Sequence, residues 1–286
     1  MSIDYFNDKK SEEKFMRLYN VTDGEFYHSG IYEGMKVRQR YLCWKYLPNI
    51  RDKILPDIPN ESKYEAVFLE FRSFPHIEFI IRNAIIKLGT EWAHTIVCGN
   101  DNYTFMKELC HDLSVNIKVI KLDINNIEDI EDYNKLLTSE MFWNLLKGEK
   151  ILIHQEDSCI FKSNIHDFIK FDYIGAPWNT EKEWVQRSGL KIAAGNGGFS
   201  LRTRKLMIHI IQNYQRNPQD NEDVYFCRTI QDYKLGIFPT MYEAFDFSSE
   251  GIVSENSFGG HCYFNYDVNS ERRFVRECVI SLYKDV

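Results

Sequence analysis

Between residues 65 and 154 the sequence alternates short apolar, β-favouring runs with longer stretches of helical periodicity, and this rhythm narrows the possible folds more than any other feature. Residues 65–72 (EAVFLEFR) read as a strand. Ile77–Leu88 carries apolar residues at helical spacing and stops at Gly89, a residue suited to ending a helix. Residues 94–98 (HTIVC) form a second expected strand, closed by the turn 99–102, and Tyr103–Leu113 a second helix. Residues 116–122, 130–146 and Lys150–His154 (KILIH) continue the series as strand, helix and strand. That order implies right-handed βαβ units on a mainly parallel, Rossmann-like sheet. Ligands of such sheets lie beyond the carboxyl ends of the strands. Gln155, Glu156 and Asp157 follow KILIH directly and stand where chemistry is expected.

The flanks differ. The first 60 residues hold little strand signal; 11–19 and 35–47 have helical character, and Pro48, Pro56 and Pro59 punctuate the end of the stretch. We read residues 1–60 as a helical N-terminal extension, 61–158 as the Rossmann-like half, and 159–286 as a second, loop-rich half of one continuous domain. In that second half, helices are expected near 203–214 and 221–233.

At 286 residues, 44% hydrophobic and 27% charged, the chain has the composition of a globular protein with a sizeable core. A net charge of −7 with only short basic clusters argues against a nucleic-acid partner. Seven scattered cysteines without a CxxC pair argue against a disulfide framework or structural zinc, and for a reducing compartment. The polar N-terminus is unlike a signal peptide, and no apolar run approaches the ~20 residues of a membrane span. A cytoplasmic location and no membrane span are therefore expected.

Four constellations carry possible chemistry. At Gln155-Glu156-Asp157 a strand end fixes carboxylates, as a divalent cation with oxygen ligands requires; the competing reading is a solvent-facing strand end. Gly195-Asn196-Gly197-Gly198 permits positive φ and close backbone approach to a ligand, or is an ordinary tight turn. Glu222 and Asp223 stand at an expected helix start, where the dipole favours acids without any catalytic role; the functional alternative is a general base. His261, behind Gly259 and Gly260, is either a metal ligand or an ordinary core or surface histidine. Near the first strand, Glu70, Arg72 and Arg82 are candidates for ligand contact, arginine being suited to phosphate.

The order of these elements resembles the GT-A glycosyltransferases. GNGGFSLR followed by EDVYFC is similar to the acceptor-side motifs of β-1,4-galactosyltransferases and β-1,3-glycosyltransferases. LIHQEDSCI, FDYIGAPW, GNGGFSLR, EDVYFC and FGGH together are most similar to a poorly characterised, glycosyltransferase-like domain-of-unknown-function family of bacteria, fungi and large viruses. The resemblance spans roughly residues 65–265 and implies a metal-dependent, inverting transferase, with Mn²⁺ or Mg²⁺ as cofactor. The donor would be a nucleotide sugar, by default a UDP-sugar, and the acceptor a glycan or other hydroxyl compound.

Carried over by motif, Asp157 matches the last acid of a DxD metal motif and Gln155 stands where the first acid usually is. His261 matches a late metal-binding histidine, and Asp223 the catalytic base with Glu222 beside it. Gly197 and Gly198 match the turn where donor and acceptor meet, with Glu156 and Asn196 as neighbouring contacts and Trp178 as an aromatic wall. Gln155 keeps a second reading open, a catalytically inactive nucleotide-sugar- or glycan-binding module. A nucleotidyltransferase is disfavoured, since Ser73-Phe74-Pro75-His76 is no glycine-rich basic loop.

Overall fold

The computed structural model describes residues 9–27, 32–127, 129–265 and 269–283. Four helices come first: α1 (Lys9–Tyr19), α2 (Asp23–Tyr27), α3 (Tyr32–Lys45) and α4 (Leu47–Arg51). The alternating region follows as β1 (Tyr64–Leu69), α5 (Ile77–Leu88), β2 (Trp92–Cys98), α6 (Tyr103–Leu113), β3 (Lys118–Lys121), α7 (Ile130–Leu137), α8 (Glu140–Leu145) and β4 (Lys150–His154). The second half contains β5 (Ser158–Ile160), β6 (Tyr173–Gly175), α9 (Glu183–Arg187), β7 (Phe199–Thr203), α10 (Arg204–Asn213) and α11 (Glu222–Tyr233). It closes with α12 (Met241–Phe247), β8 (Ser248–Ser249), β9 (Gly259–His261) and α13 (Ser270–Phe274).

The fold is mixed α/β, as expected. A six-stranded sheet has the order β3-β2-β1-β4-β7-β6. Its β3, β2, β1 and β4 run parallel, and β7 pairs antiparallel with both β4 and β6. β1 and β2 are buried at every residue, as befits parallel strands covered on both faces. One face is covered by α5 together with the N-terminal helices, through Phe15, Phe26, Tyr41 and Ile50. The other is covered through Trp143, Met207 and Phe226. The N-terminal extension thus shares the core of the sheet.

Two strand pairings create the site. β7 pairs with β4 so that Phe199 lies opposite His154, which brings Gly197 and Gly198 to the carboxyl end of β4. In a small second sheet, β5 pairs with β9 so that Ser158 lies opposite His261. A histidine more than a hundred residues downstream is thereby set beside Asp157.

The expected helix over 130–146 is two helices. Ser139 breaks it by accepting the Phe142 N–H with its hydroxyl, an N-cap that starts α8 afresh. The first strand ends at Leu69 instead of Arg72, so Glu70 and Arg72 belong to the loop at its carboxyl end. All seven cysteines are free and buried. Among the described residues, no helix is long and apolar enough to cross a membrane.

Candidate functional site

The centre of the site is the turn after β4. Asp157 is buried, and both of its carboxylate oxygens are engaged. Oδ1 faces His261 Nε2 at 3.2 Å. Oδ2 takes the Lys36 ammonium at 3.1 Å and the Cys262 thiol at 3.1 Å. Burial, the largest influence on this carboxyl, works to raise its proton affinity. The charges of His261 and Lys36 outweigh it and hold Asp157 well below the usual carboxylate range. Gln155 Oε1 is 3.1 Å from His261 Nε2, on the same side of the ring. The other ring nitrogen, Nδ1, is 3.5 Å from Glu250. Burial opposes protonation of His261, but the acidic groups of Cys262, Asp157 and Glu250 around it raise its pKa well above the ordinary value.

These groups fit a divalent cation. Asp157, His261 and Cys262 each offer a ligand atom, and those atoms lie within 4.8 Å of one another. Glu250 stands 3.5 Å behind the imidazole, within ion-pair reach of Nδ1 but not hydrogen-bonded to it. A nitrogen and a sulfur among the donors make the site softer than the all-oxygen sites that suit Mg²⁺. Cys262 has a left-handed backbone, φ 49°, uncommon for a residue other than glycine. Its N–H donates to the Asp157 carbonyl at 3.0 Å, which fixes that conformation and aims the thiol at the carboxylate.

Around Asp157 opens a cavity of about 560 Å³, lined among others by Lys36, Glu70, Arg72, Tyr133, Gln155 and Glu156. Glu156 is buried and holds two arginines and a histidine. Arg40 reaches it at 2.5 Å, Arg72 at 2.7 Å and His76 at 3.1 Å. Burial pushes the Glu156 carboxyl up, yet His76 and Arg40 hold it low. Glu70 in turn grips Arg72 through two hydrogen bonds of 2.8 and 2.9 Å. Arg72 remains 42% exposed, its guanidinium pre-set at the cavity. Tyr133 presents a buried hydroxyl that has no hydrogen-bond partner among the described residues.

The glycine turn connects this half to the acids at 222 and 223. A positive φ is needed only at Gly195, at 121°. Gly197 and Gly198 are demanded by space instead. A Cβ on Gly198 would collide with the His261 ring, and one on Gly197 with the Glu222 carboxylate. The Gly197 N–H donates to Asp223 Oδ2 at 3.0 Å, and the Gly198 N–H to Asn196 Oδ1 at 3.0 Å.

Glu222 and Asp223, adjacent at the start of α11, are put to opposite uses. Glu222 is buried in a two-point ion pair with Arg202, at 2.6 and 2.9 Å. Arg202 is itself enclosed, with its guanidinium 4.7 Å from the Tyr173 ring centre. Asn134 caps the helix from α7, its Oδ1 accepting the Glu222 N–H at 2.9 Å, and its amide donates to Asn221. Among the described residues Asp223 makes no ion pair, and the Arg202 charge is the weakest of the influences on it. Burial first, and the Glu222 carboxylate second, raise its pKa from the ordinary 3.8 to about 7, against the pull of the Gly197 and Val224 N–H groups. It lines a smaller cavity of about 160 Å³ with Trp178, Trp184, Asn196 and Glu250.

Most of the residues singled out from the sequence meet here. Asp157, Gln155 and Gly198 all meet at the His261 ring, and Glu250 and the glycine pair lead on to Asp223 and Glu222. Asp157 and Asp223 nevertheless line different cavities; His261 touches Asp157 in one and Glu250 of the other. Glu156 borders the Asp157 cavity, but its carboxylate is spent on Arg40, Arg72 and His76. Arg82 lies apart: it is spent on Glu78, which it shares with Arg51. His154 is buried against the Phe68 ring, and burial drops its pKa to about 3. Sequence reasoning missed Lys36, Arg40, His76, Glu250 and Cys262. The available signal was the spacing of Lys36 and Arg40, four apart and so on one face of a helix.

Residues 116–261, just over half of the chain, match the family model described as "Protein of unknown function (DUF5672)". The chain belongs to this family. The match begins just before β3 and ends on His261, so it takes in the Asp157, Gly197–Gly198 and Asp223 elements, while Lys36, Arg40 and Arg72 fall outside it. No curated protein matches the DUF5672 chain. Among solved structures, the glycosyltransferase GlyE of Streptococcus pneumoniae TIGR4 is similar at 11% identity and a TM-score of 0.37, over 60% of this chain and 44% of that one. Mouse xyloside xylosyltransferase 1, apo form, is similar at 11% identity and a TM-score of 0.42, over 69% and 97%. The inositol-1-phosphate CTP transferase of T. maritima is similar at 10% identity and a TM-score of 0.44, over 79% and 98%. The DUF5672 chain spans less than half the length of GlyE.

Proposed function

We propose that this protein is a divalent-cation-dependent glycosyltransferase that moves a sugar from a nucleotide-sugar donor, by default a UDP-sugar, to an acceptor hydroxyl with inversion. One observation carries the reading. A carboxylate held ionised beside an imidazole and a thiol, and a second carboxylate poised near neutral pH, are joined by a glycine pair packed directly on the His261 ring and the Glu222 carboxylate. Residues 61–158 then serve as the donor half and 159–286 as the acceptor half.

In this reading Asp157 and His261, with Cys262 beside them, hold Mn²⁺ or Mg²⁺, the nitrogen and sulfur donors favouring Mn²⁺. When bound there, the cation supplies Lewis-acid neutralisation of the leaving diphosphate. Arg72, held in place by Glu70 and Glu156, presents its fork to phosphate oxygens. Gln155 Oε1, beside the same ring nitrogen of His261, stands as a further oxygen next to the cation position. Asp223 takes the proton of the acceptor hydroxyl, and a pKa of about 7 suits a base working near neutrality. The Gly197 and Val224 N–H groups fix the direction of its carboxylate. Trp178 and Trp184, packed edge-on at 5.7 Å, wall the acceptor side. Glu222 acts through Arg202 and Asp223, as a positioning residue.

A binding module without turnover is the second reading, favoured by Gln155 in place of an acid. Incubation of the purified protein with a panel of nucleotide sugars separates the two. The transferase releases nucleoside diphosphate only when Mn²⁺ or Mg²⁺ is present, and Asp157→Ala abolishes the release. Donor binding seen as a thermal shift, with no release from any sugar nucleotide, would leave only the binding module; a ligand at 100 times its Kd adds ~2.7 kcal/mol, enough to see.

A further inference from the structure

The N-terminal helix α3 contributes a cation to the very carboxylate that would hold the metal. Lys36, Gln39 and Arg40 are spaced so that one face of α3 meets the turn after β4. Lys36 Nζ lies 3.1 Å from Asp157 Oδ2, Gln39 approaches the Glu156 carbonyl at 3.5 Å, and Arg40 grips the Glu156 carboxylate. Lys36 also lines the cavity that Arg72 borders. With His261 on Oδ1 and Lys36 on Oδ2, both oxygens of Asp157 are in use.

We propose that Lys36 is the resident counter-ion of the cation site: its ammonium holds Asp157 while no metal ion is bound, is displaced by the incoming cation, and then faces the diphosphate in the cleft. The proposal rests on the reading of Asp157, His261 and Cys262 as cation ligands. A buried carboxylate is costly without compensating charge, and with the site empty His261 on Oδ1 and Lys36 on Oδ2 supply it together. A divalent ion bound to Asp157 would repel an ammonium on the same oxygen. A lysine suits the exchange. Its charge is compact, its stem has several rotatable bonds, and its three donors hold no fixed fork, unlike arginine. The cavity beside it offers room for the ammonium to turn toward Arg72, where two positive groups would flank an anionic ligand. In this way a helix outside the family match tunes metal affinity and contributes to ligand binding.

The test compares the wild-type chain with Lys36→Met, Lys36→Gln and Lys36→Arg, each checked for folding by circular dichroism. Mn²⁺ alone is titrated first, followed by the electron paramagnetic resonance signal of the free ion; UDP is then titrated at saturating Mn²⁺ by calorimetry. Loss of the ammonium should tighten Mn²⁺ binding about tenfold and weaken UDP about tenfold, each tenfold being ~1.4 kcal/mol. Lys36→Arg should stay close to wild type in Mn²⁺ affinity. Mn²⁺ binding by Lys36→Met and not by wild type supports the displacement in its strongest form. Equal or weaker Mn²⁺ binding in both neutral variants overturns it while leaving the cation site in place, provided Asp157→Ala loses the ion. Unchanged UDP affinity overturns the second role of Lys36. If no folded variant binds Mn²⁺, both the cation site and this proposal fail.

Discussion

The two carboxylates at the heart of the site are both enclosed by protein, yet their surroundings drive them in opposite directions. Asp157 meets an imidazole, an ammonium and a thiol, and remains ionised. Asp223 meets two backbone N–H groups and a neighbouring carboxylate, and holds its proton up to about pH 7. In the proposed reading the same functional group serves as a cation ligand in one place and a proton acceptor in the other, and what decides is the sign of the nearest charge. Glu222 sharpens the point. One residue from Asp223, it is neutralised by Arg202 and has no open face.

This contrast makes several predictions. The largest effect falls on Asp223→Asn, which should lower transfer by ~10²–10⁴-fold while nucleoside diphosphate binding persists. Turnover near wild type in that variant would break the contrast, because Asp223 would then be no base. Next, Arg202→Leu strands the buried Glu222 charge and should cost ~3–5 kcal/mol of stability, read by denaturant melts. A loss below 1 kcal/mol would mean that Glu222 escapes to solvent or takes up a proton.

Gly198→Ala should push the His261 ring off Asp157 and weaken Mn²⁺ binding by about tenfold, ~1.4 kcal/mol, with Asp223 little affected. Equal Mn²⁺ affinity would show that the ring has room the structure denies it.

The contrast also has a pH signature. Transfer should rise through about pH 7 as Asp223 loses its proton. The raised pKa means that the folded state holds a proton the unfolded chain has lost between pH 3.8 and about 7. The stability Asp223 contributes is therefore full below that window and declines as pH climbs through it. Asp223→Asn removes the decline. That variant should be more stable than wild type at pH 8, by about 1–3 kcal/mol after allowing for its partial exposure, and should gain nothing at pH 4. Identical pH–stability curves would place the pKa of Asp223 at its ordinary value.

The parallel half of the fold was legible because each strand and helix carries its own periodicity and its own stop signal, as at Gly89. The break at Thr138 and Ser139 was not, because apolar spacing continues across it while a single serine cap restarts the helix. The glycine pair was found for the wrong reason. Gly197 and Gly198 are excluded from having side chains by Glu222 and His261, contacts that no local pattern announces. Asp157 and His261 were recoverable through motif order, whereas Lys36 and Cys262 act on Asp157 by long-range packing. Arg82 carried the chemistry expected of a phosphate ligand, but it is held by Glu78, one turn earlier on the same helix.

The most direct test of the two-carboxylate account is a crystal structure with UDP and Mn²⁺, the ion located by its anomalous signal. The account predicts an ion bonded to Asp157 and His261, a diphosphate on it beside Arg72, and an open path past Gly198 to Asp223. Nucleotide bound elsewhere, such as in the apolar groove of Leu122, Ile124, Leu136 and Met141, with no ion on Asp157, would contradict it.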